Sequence, residues 1–283
     1  MGRIGHSWAL AKTSWGVLRS DKTLGAIPAI SAMVSLVALA VFAGLFFLVG
    51  VDLDTNSTDS AALKPAGYVI GAVAYVVFAF ITVYFQSALV AGANESLSGG
   101  SATLAKSMGA ASAKLHRILP WAIVTATVSL IISQLERQGW IGAIVGNLLG
   151  MAWNIVTFLT IPIIMLEDVG PIAALKRSGT LFKQTWGENL VAQVGFGFIG
   201  LIAFLPAALV AGLGVASGVG AVMVVTIGLA VVWLAIVSVV LSALSGIYRT
   251  ALYRYAVDNR APAAFAGEDF SAAFTPKHRG RLN

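Results

Sequence analysis

The sequence has no cysteine and very little charge, and both absences narrow the class of protein. Without cysteine the chain has no disulfide, no thiolate metal site and no cysteine nucleophile. Only 11% of its 283 residues are charged, whereas a soluble domain carries about 25%. Apolar residues make up 58% of the chain, and the mean hydropathy is +0.87. No soluble core of this length requires so much apolar sequence, so the composition predicts an all-α polytopic membrane protein.

Residue groupings typical of a catalytic or metal site are also missing. His6, His116 and His278 have no partners at the spacing of a metal site or a catalytic triad. The adjacent acids Glu167 and Asp168 suit a helix start, where carboxylates interact with the helix dipole. No glycine-rich phosphate loop of the nucleotide-binding type occurs. The sequence therefore predicts no catalytic, cofactor-binding or metal-binding residue and no cofactor.

Six apolar stretches are long enough to cross a bilayer, whose hydrocarbon core needs roughly 17–25 helical residues. They lie at about residues 26–50, 66–93, 118–134, 140–166, 189–213 and 221–247. Short polar loops join them in pairs, which predicts three helical hairpins in one transmembrane domain, residues 1–257. Pro162 is expected to interrupt the fourth span. Residues 258–283 form a basic tail.

An amphipathic helix is predicted before each hairpin. The best defined begins at Pro171, because proline suits a first helical position, with Asp168 or Gly170 as its cap. Its predicted apolar stripe consists of Ile172, Leu175, Gly179, Phe182 and Trp186. The corresponding N-terminal stripe consists of Ile4, Trp8, Ala11, Trp15 and Leu18, and a weaker one of Leu104, Ala111 and Leu115. Such helices lie in the membrane interface, where we expect Lys12, Arg19, Lys176 and Lys183 to contact lipid headgroups.

The amphipathic segments share a residue pattern. Lysine, serine, a bulky apolar residue and a cation recur at the same spacing in residues 12–19 and 176–183, and Ser107 occupies the related place in the middle segment. One hypothesis is a threefold internal repeat; the other is that inner loops of membrane proteins collect such residues. We favour the repeat.

The distribution of cations predicts the orientation. Sixteen of the eighteen lysines and arginines lie in the N-terminal segment, the two later amphipathic segments and the C-terminal segment, among them Arg249; the exceptions are Lys64 and Arg137. The positive-inside rule then predicts a multi-pass protein of the cell membrane with both termini cytoplasmic. The expected partners of the +6 charge are anionic lipid headgroups and not nucleic acid. A membrane-protein partner or a homo-oligomer is a further expectation.

Within the spans the candidate interaction residues are small or uncharged. Gly142, Gly146 and Gly150 recur every fourth residue beside Asn147, and Asn154 lies on the same face of the helix. This pattern predicts close helix packing with asparagine bonds across the contact, in preference to a polar stripe along a cavity. We find no ionisable residue near the middle of any span. Other polar candidates are Gln86, Ser129, Ser133, Thr157, Thr160 and Gln193.

Two resemblances follow from particular residues. Trp8, Lys12, Ser14, Trp15, Leu18, Arg19, Asp21 and Lys22, together with residues 251–256, resemble an uncharacterised family of bacterial six-span membrane proteins. Residues 167–186 resemble the membrane domain found beside some glycerophosphodiester phosphodiesterases. Neither resemblance implies an assigned chemistry, and this chain carries no phosphodiesterase domain.

Three functions fit these features. The first is a membrane scaffold or assembly partner, which tight glycine packing without a cavity would favour. The second is a permease or lipid-binding protein for a lipid or an apolar small molecule, which a deep cavity lined by Asn147 and Asn154 would favour. The third is a lipid-active enzyme at the inner interface, which would require Glu95, Glu167 and His116 to converge. We rank the non-enzymatic scaffold first, close to the permease, and the enzyme last.

Overall fold

The computed structural model describes residues 3–50, 64–186, 194–258 and 262–265, and every regular element in these ranges is helical. A π-helical turn, Phe46–Gly50, continues α2, and a short 3₁₀ turn, Ala263–Phe265, follows α10. The ten α-helices of the described ranges are α1 Arg3–Ser20, α2 Thr23–Leu45, α3 Pro65–Leu97, α4 Leu104–Ala113, α5 Leu115–Glu136, α6 Gly139–Thr157, α7 Thr160–Leu166, α8 Pro171–Trp186, α9 Val194–Ala216 and α10 Gly220–Asp258.

Five helical stretches are long and apolar enough to cross a membrane. They are Thr23–Gly50, Pro65–Leu97, Leu115–Glu136, Gly139–Leu166 and Gly220–Asp258. In α9 the apolar stretch Phe204–Ala216 is shorter. Large apolar side chains such as Leu36, Leu148 and Val224 are exposed on these helices, as surfaces that face acyl chains require. The prediction of an all-α polytopic membrane protein is therefore confirmed.

The fourth predicted span consists of two helices, because Pro162 has no N–H to bond the carbonyl four residues earlier. That carbonyl belongs to Phe158, and α6 ends at Thr157 just before it. The next helix, α7, starts at Thr160. Between them the backbone N–H of Leu159 donates to Ser178 Oγ of α8 over 3.2 Å. A side chain of α8 thus occupies the break in the span.

The central helix of the bundle is α3, which packs against α2, α4, α5, α7 and α10. The long helices form three hairpins, with α2 against α3, α5 against α6 and α9 against α10. The completely buried large side chains cluster toward the end of the bundle that carries the short helices α4 and α8. They include Leu24, Leu89, Ile118, Trp121, Ile163, Ile164 and Ile247. The protein core therefore lies at this short-helix end.

The amphipathic helices occupy similar places at the short-helix end. Each packs against the last part of a span: α4 against α3, α8 against α7, and α1 against α10. Each also buries one serine on its inner face: Ser107, Ser178 and Ser14, respectively. Because the helix that covers α10 comes from the start of the chain, the arrangement closes on itself. This placement is the one that the predicted threefold repeat implies, and the repeat stays a prediction.

The inner face of α8 differs from its predicted apolar stripe. The buried residues are Ala174, Ser178, Leu181 and Phe182, whereas Ile172 is 54% exposed. The physical reason is that α6 and α7 pack on this helix, and the small side chains of Ala174 and Ser178 let other helices approach closely. The Trp186 side chain lies outside the part of the chain that the structure describes.

The N-terminal helix α1 shows the same difference. Ala11, Ser14 and Val17 are buried against the bundle, while Trp15 of the predicted stripe is exposed. The side chains of Ile4 and Trp8 are outside the described ones. The four cations predicted to contact headgroups, Lys12, Arg19, Lys176 and Lys183, are all exposed. Both α1 and α8 thus bury one face in protein and present cations on another.

Candidate functional site

A cavity of about 500 Å³ lies between α3, α5, α6 and α10. This volume falls in the range of roughly 300–1,000 Å³ that is typical of small-molecule sites. Aromatic rings and uncharged polar groups make up most of its lining. The lining residues are Tyr75, Phe78, Ala79, Thr82, Val83, Gln86, Trp121, Thr125, Ala126, Ser129, Trp153, Asn154, Thr157, Ile161 and Arg249.

The α5–α6 hairpin supplies the largest aromatic surface of the cavity. It places Trp121 and Trp153 in a stack, with ring centroids 6.0 Å apart and planes inclined by 26°. Trp121 is buried by the helices around it, which fixes its orientation. Tyr75 and Phe78 contribute further rings from α3. Rings of this kind bind hydrocarbon through large apolar contact areas.

The polar groups of the cavity differ in whether the protein already satisfies them. The hydroxyls of Thr125 and Thr157 donate to the carbonyls of Trp121 and Trp153, four residues earlier on their own helices. By contrast, the structure shows no hydrogen bond from the side-chain amides of Gln86 and Asn154 to any described residue. Gln86 is half-buried and Asn154 is exposed, so both amides are accessible and available to a ligand.

One charged residue, Arg249, joins this lining. Its guanidinium carbon lies 5.1 Å from the centre of the Phe158 ring, and its Nε is fully buried with no hydrogen-bond partner in the part of the chain that the structure describes. Arg249 also lines a neighbouring cavity of about 130 Å³, together with Gln86 and Ile161. It therefore stands between two cavities.

Sequence reasoning counted Arg249 with the cations of the basic C-terminal segment, and the structure shows that this residue also lines the cavity. The last span was predicted at about residues 221–247, in a long helix that reaches residue 256, and α10 runs to Asp258. A helix of 39 residues is about 58 Å long, nearly twice the roughly 30 Å of a hydrocarbon core. The signal in the sequence was the unbroken run from Tyr248 to Ala256, which has no glycine or proline to end the helix.

Gln86 connects the cavities across the bundle. It lines the two cavities beside Arg249 and a third, of about 200 Å³, between α2, α3 and α10. Serines of α2 and α10 add hydroxyls there: Ser31, Ser238 and Ser242. Because α3 is the central helix, a polar residue on its surface is positioned to face several neighbours at once.

The structure divides the predicted packing residues into two groups. Gly142, Gly146 and Gly150 face α5 inside the hairpin: a Cβ on Gly146 would lie 2.5 Å from Glu136 Cγ, and one on Gly150 would lie 3.7 Å from a side-chain carbon of Ile132. A Cβ on Gly142 would overlap the Leu135 carbonyl oxygen. These three glycines do not line the large cavity.

The two asparagines also occupy different environments. Asn147 is exposed, and its amide donates to Ala143 O of its own helix over 2.8 Å, so it does not bond across the contact as predicted. Asn154 lines the large cavity. Of the other polar candidates, Gln86, Ser129 and Thr157 line it too. Gln193 lies outside the described residues.

The acids and the histidine of the enzyme hypothesis do not line any of the three cavities. Glu167 accepts a hydrogen bond from Tyr253 over 3.2 Å and pairs with Arg177 over 3.4 Å. His116 accepts one from the Nε of Arg117 over 3.0 Å. Glu95 lies beside Gly100 in the turn after α3. These contacts stabilise the short-helix end.

Asp168 joins two connecting segments instead of capping α8. Its carboxylate pairs with Lys114 at 3.0 Å and with Arg117 at 2.8 Å, while Gly170 O accepts the first bond of α8 from Ala174. The hydrogen bond from Lys114 holds the pKa of Asp168 below its ordinary value of 3.8. Lys114 also donates to the last carbonyls of α7, where a cation is favourable. The left-handed φ of 56° at Asp168 fits this position after a helix end.

Asp21, which lies between α1 and α2, provides a similar connection to the end of α3 and the segment after it. Its carboxylate accepts hydrogen bonds of 2.7 Å from Ser96 Oγ and from the backbone N–H of Ala102. Partial burial raises the pKa of Asp21, but these bonds and one from Thr23 together lower it below 3.8. The carboxylate thus stays ionised and holds the segment after α3 against the start of α2.

A family model described as a family of unknown function (DUF6159) matches residues 65–263. The chain belongs to this family. All the residues that line the large cavity fall inside the part that matches DUF6159. The prediction that the chain belongs to an uncharacterised family is therefore confirmed. The N-terminal residues that suggested this family precede the matched region. The resemblance to the membrane domain of glycerophosphodiester phosphodiesterases is not shown. No curated protein and no solved structure matches the DUF6159 chain.

Proposed function

We propose that this protein binds a lipid or an apolar small molecule inside the membrane, as a lipid-binding protein or permease. The observation that carries the proposal is the cavity of about 500 Å³ between α3, α5, α6 and α10, where stacked tryptophans adjoin side-chain amides that have no hydrogen-bond partner among the described residues. An apolar cavity with a few convergent polar groups is the usual form of a small-molecule site.

The scaffold hypothesis has less support. It rested on small residues at a helix surface, which would leave a close-packing face for another protein. The glycines concerned face Leu135, Glu136 and Ile132 of the same hairpin, so the hairpin itself uses that face. The enzyme hypothesis has less support again, because Glu95, Glu167 and His116 line none of the cavities.

The proposal predicts that a bulky group inside the cavity prevents ligand retention. Ala79 of α3 lines the cavity, whereas Ala72 is exposed seven residues earlier on the same helix. We expect Ala79→Phe to reduce the lipid that copurifies in mild detergent by at least about tenfold, since overpacking opposes binding in the same volume. The measurement is quantitative mass spectrometry of lipid extracted from equal amounts of protein.

Ala72→Phe is the matched control, because it adds the same ring to the same helix outside the cavity. We expect it to retain lipid as the unmodified protein does. Equal retention by both variants and the unmodified protein would show that copurifying lipid sits on the outer surface, and the proposed function would then be wrong.

We further propose a bacterial protein with six spans, α9 being the fifth in chain order, and with both termini cytoplasmic. Support comes from the cation distribution and from the exposed Lys12, Arg19, Lys176 and Lys183, which would contact anionic headgroups on that side.

Ser57 and Ser271 lie outside the described residues, and a chain without cysteine permits single-cysteine labelling at both. An impermeant thiol reagent added to intact cells should label Ser57→Cys and not Ser271→Cys. Labelling of Ser271→Cys would contradict this topology.

A further inference from the structure

We infer that the ligand of the large cavity is an amphipathic anion, in which a carboxylate or phosphate is joined to hydrocarbon. Arg249 would bind the anionic group, and the aromatic wall would hold the hydrocarbon. The inference rests on the proposed function and specifies the class of ligand for the same site. Its basis is the position of a single arginine among uncharged cavity residues.

The first argument is charge. An arginine side chain stays protonated in proteins, so Arg249 brings a permanent positive charge to the cavity wall. No acidic residue lines any of the three cavities around it, and the described residues supply no ion pair to it. A cation in a low-dielectric surrounding is unfavourable unless it is paired. The Phe158 ring at 5.1 Å replaces only part of the lost hydration, so a bound anion would supply the remaining partner.

The second argument is hydrogen-bonding geometry. The guanidinium is a planar fork of N–H donors that matches two oxygens of a carboxylate or phosphate. Gln86 lines the same two cavities as Arg249, and its side-chain amide has no hydrogen-bond partner among the described residues. Its NH₂ group is therefore available as an additional donor to the same anion.

The third argument is the division of the cavity. Arg249 is the only charged member of the lining described above, while Tyr75, Phe78, Trp121 and Trp153 provide aromatic surface. A ligand that fills this space needs one anionic group and an apolar body. Fatty acids and anionic phospholipids share that chemistry, whereas a neutral lipid would leave Arg249 unpaired.

The test compares the lipid preference of three proteins in detergent: the unmodified chain, Arg249→Gln and Arg249→Lys. Each is incubated with equal amounts of oleate, phosphatidylglycerol and phosphatidylcholine, and bound lipid is measured by native mass spectrometry. We expect the unmodified protein to prefer an anionic lipid over phosphatidylcholine by at least about tenfold, because hydrogen bonds to charged groups are the strong ones. Arg249→Gln should lose this preference, and Arg249→Lys should keep part of it, since lysine retains the charge without the fork.

Arg254→Gln is the matched control. Arg254 lies five residues further along α10, where it donates to Ser98 Oγ over 2.7 Å, and it lines none of the three cavities. Its variant should keep the anion preference. Whether oleate or phosphatidylglycerol dominates on the unmodified protein then identifies the source of the anion.

The outcomes separate the two proposals. If Arg249→Gln binds lipid with the same anion preference, or if the unmodified protein binds phosphatidylcholine equally well, the anion inference is wrong while the lipid-binding function stands. If the unmodified protein binds none of the three lipids, both are wrong. Should Arg249→Gln fail to fold, Arg249→Lys and Gln86→Leu decide the matter, because both should weaken the preference, and an undiminished preference in both would overturn the inference.

Discussion

Phe182→Asp should lower the melting temperature of the protein severely, whereas the double variant Lys176→Ala, Lys183→Ala should leave it nearly unchanged. Phe182 is only 2% exposed on the inner face of α8, which packs against α6 and α7. Loss of a buried phenylalanine alone destabilises a fold by about 3–5 kcal/mol, and an unpaired buried carboxylate adds to that. The two lysines are exposed, and each contributes at most about 1 kcal/mol near anionic lipid.

Ile172→Asp is the control that distinguishes the packed face from the face predicted by periodicity. It introduces the same charge on the same helix, at a position that is 54% exposed. The melting temperature of Phe182→Asp, measured in the same detergent, should therefore be far below that of Ile172→Asp. If the two aspartates are equally harmful, α8 is anchored through its apolar stripe in the interface and not through protein contacts.

Gly146→Leu should give the second large loss of stability. Even a Cβ at this position would lie 3.0 Å from the backbone nitrogen of Glu136 as well as close to its side chain, so a leucine forces α5 and α6 apart. Overpacking of this kind costs about 1–3 kcal/mol or more, because backbones cannot give way as flexible side chains do. The melting temperature in detergent measures the effect.

Gly150→Leu is the matched control for Gly146→Leu. Both substitutions replace a glycine of α6 with leucine, so both gain the same helix propensity. At Gly150 a Cβ meets only a side-chain carbon of Ile132, at an ordinary 3.7 Å. We expect a clearly smaller effect there. An unchanged melting temperature for Gly146→Leu would mean that the contact between α5 and α6 is not tight in solution.

The helices were predictable because their signals are local. Apolar length located α2, α3, α5 and α10, and the missing N–H of Pro162 predicted the division between α6 and α7. The start of α8 at Pro171 followed from the preference of proline for a first helical position. Each of these features depends on the chemistry of one short segment, whatever surrounds it.

The faces of the helices were less predictable, because they depend on what packs against them. Periodicity placed Ile172 in a stripe that faces the membrane interface, and it could not show that α8 buries Ala174 and Ser178 against protein. The sequence of α8 alone does not indicate which helices pack against it. The same limit applies to α1, where periodicity did not show that Ser14 is buried against protein.

Part of the candidate site could be predicted from the sequence. Gln86 and Asn154 stood out as polar residues within apolar spans, but their convergence in one cavity requires the positions of three helices. Arg249 was missed because a cation just beyond the predicted span end at residue 247 is usually solvated. Its position 5.1 Å from the Phe158 ring and in two cavity linings depends on other helices and is seen only in the structure.

The central claim is that a lipid occupies the large cavity, and photolabelling tests it most directly. The probe is palmitate with a photoactivatable diazirine near its methyl end, added to the purified protein in detergent. Mass spectrometry should place the label on the lining residues Tyr75, Trp121 and Trp153, and Ala79→Phe should abolish that labelling while Ala72→Phe leaves it intact. Label confined to exposed residues such as Leu36 and Val224, in a pattern that Ala79→Phe does not change, would contradict the claim.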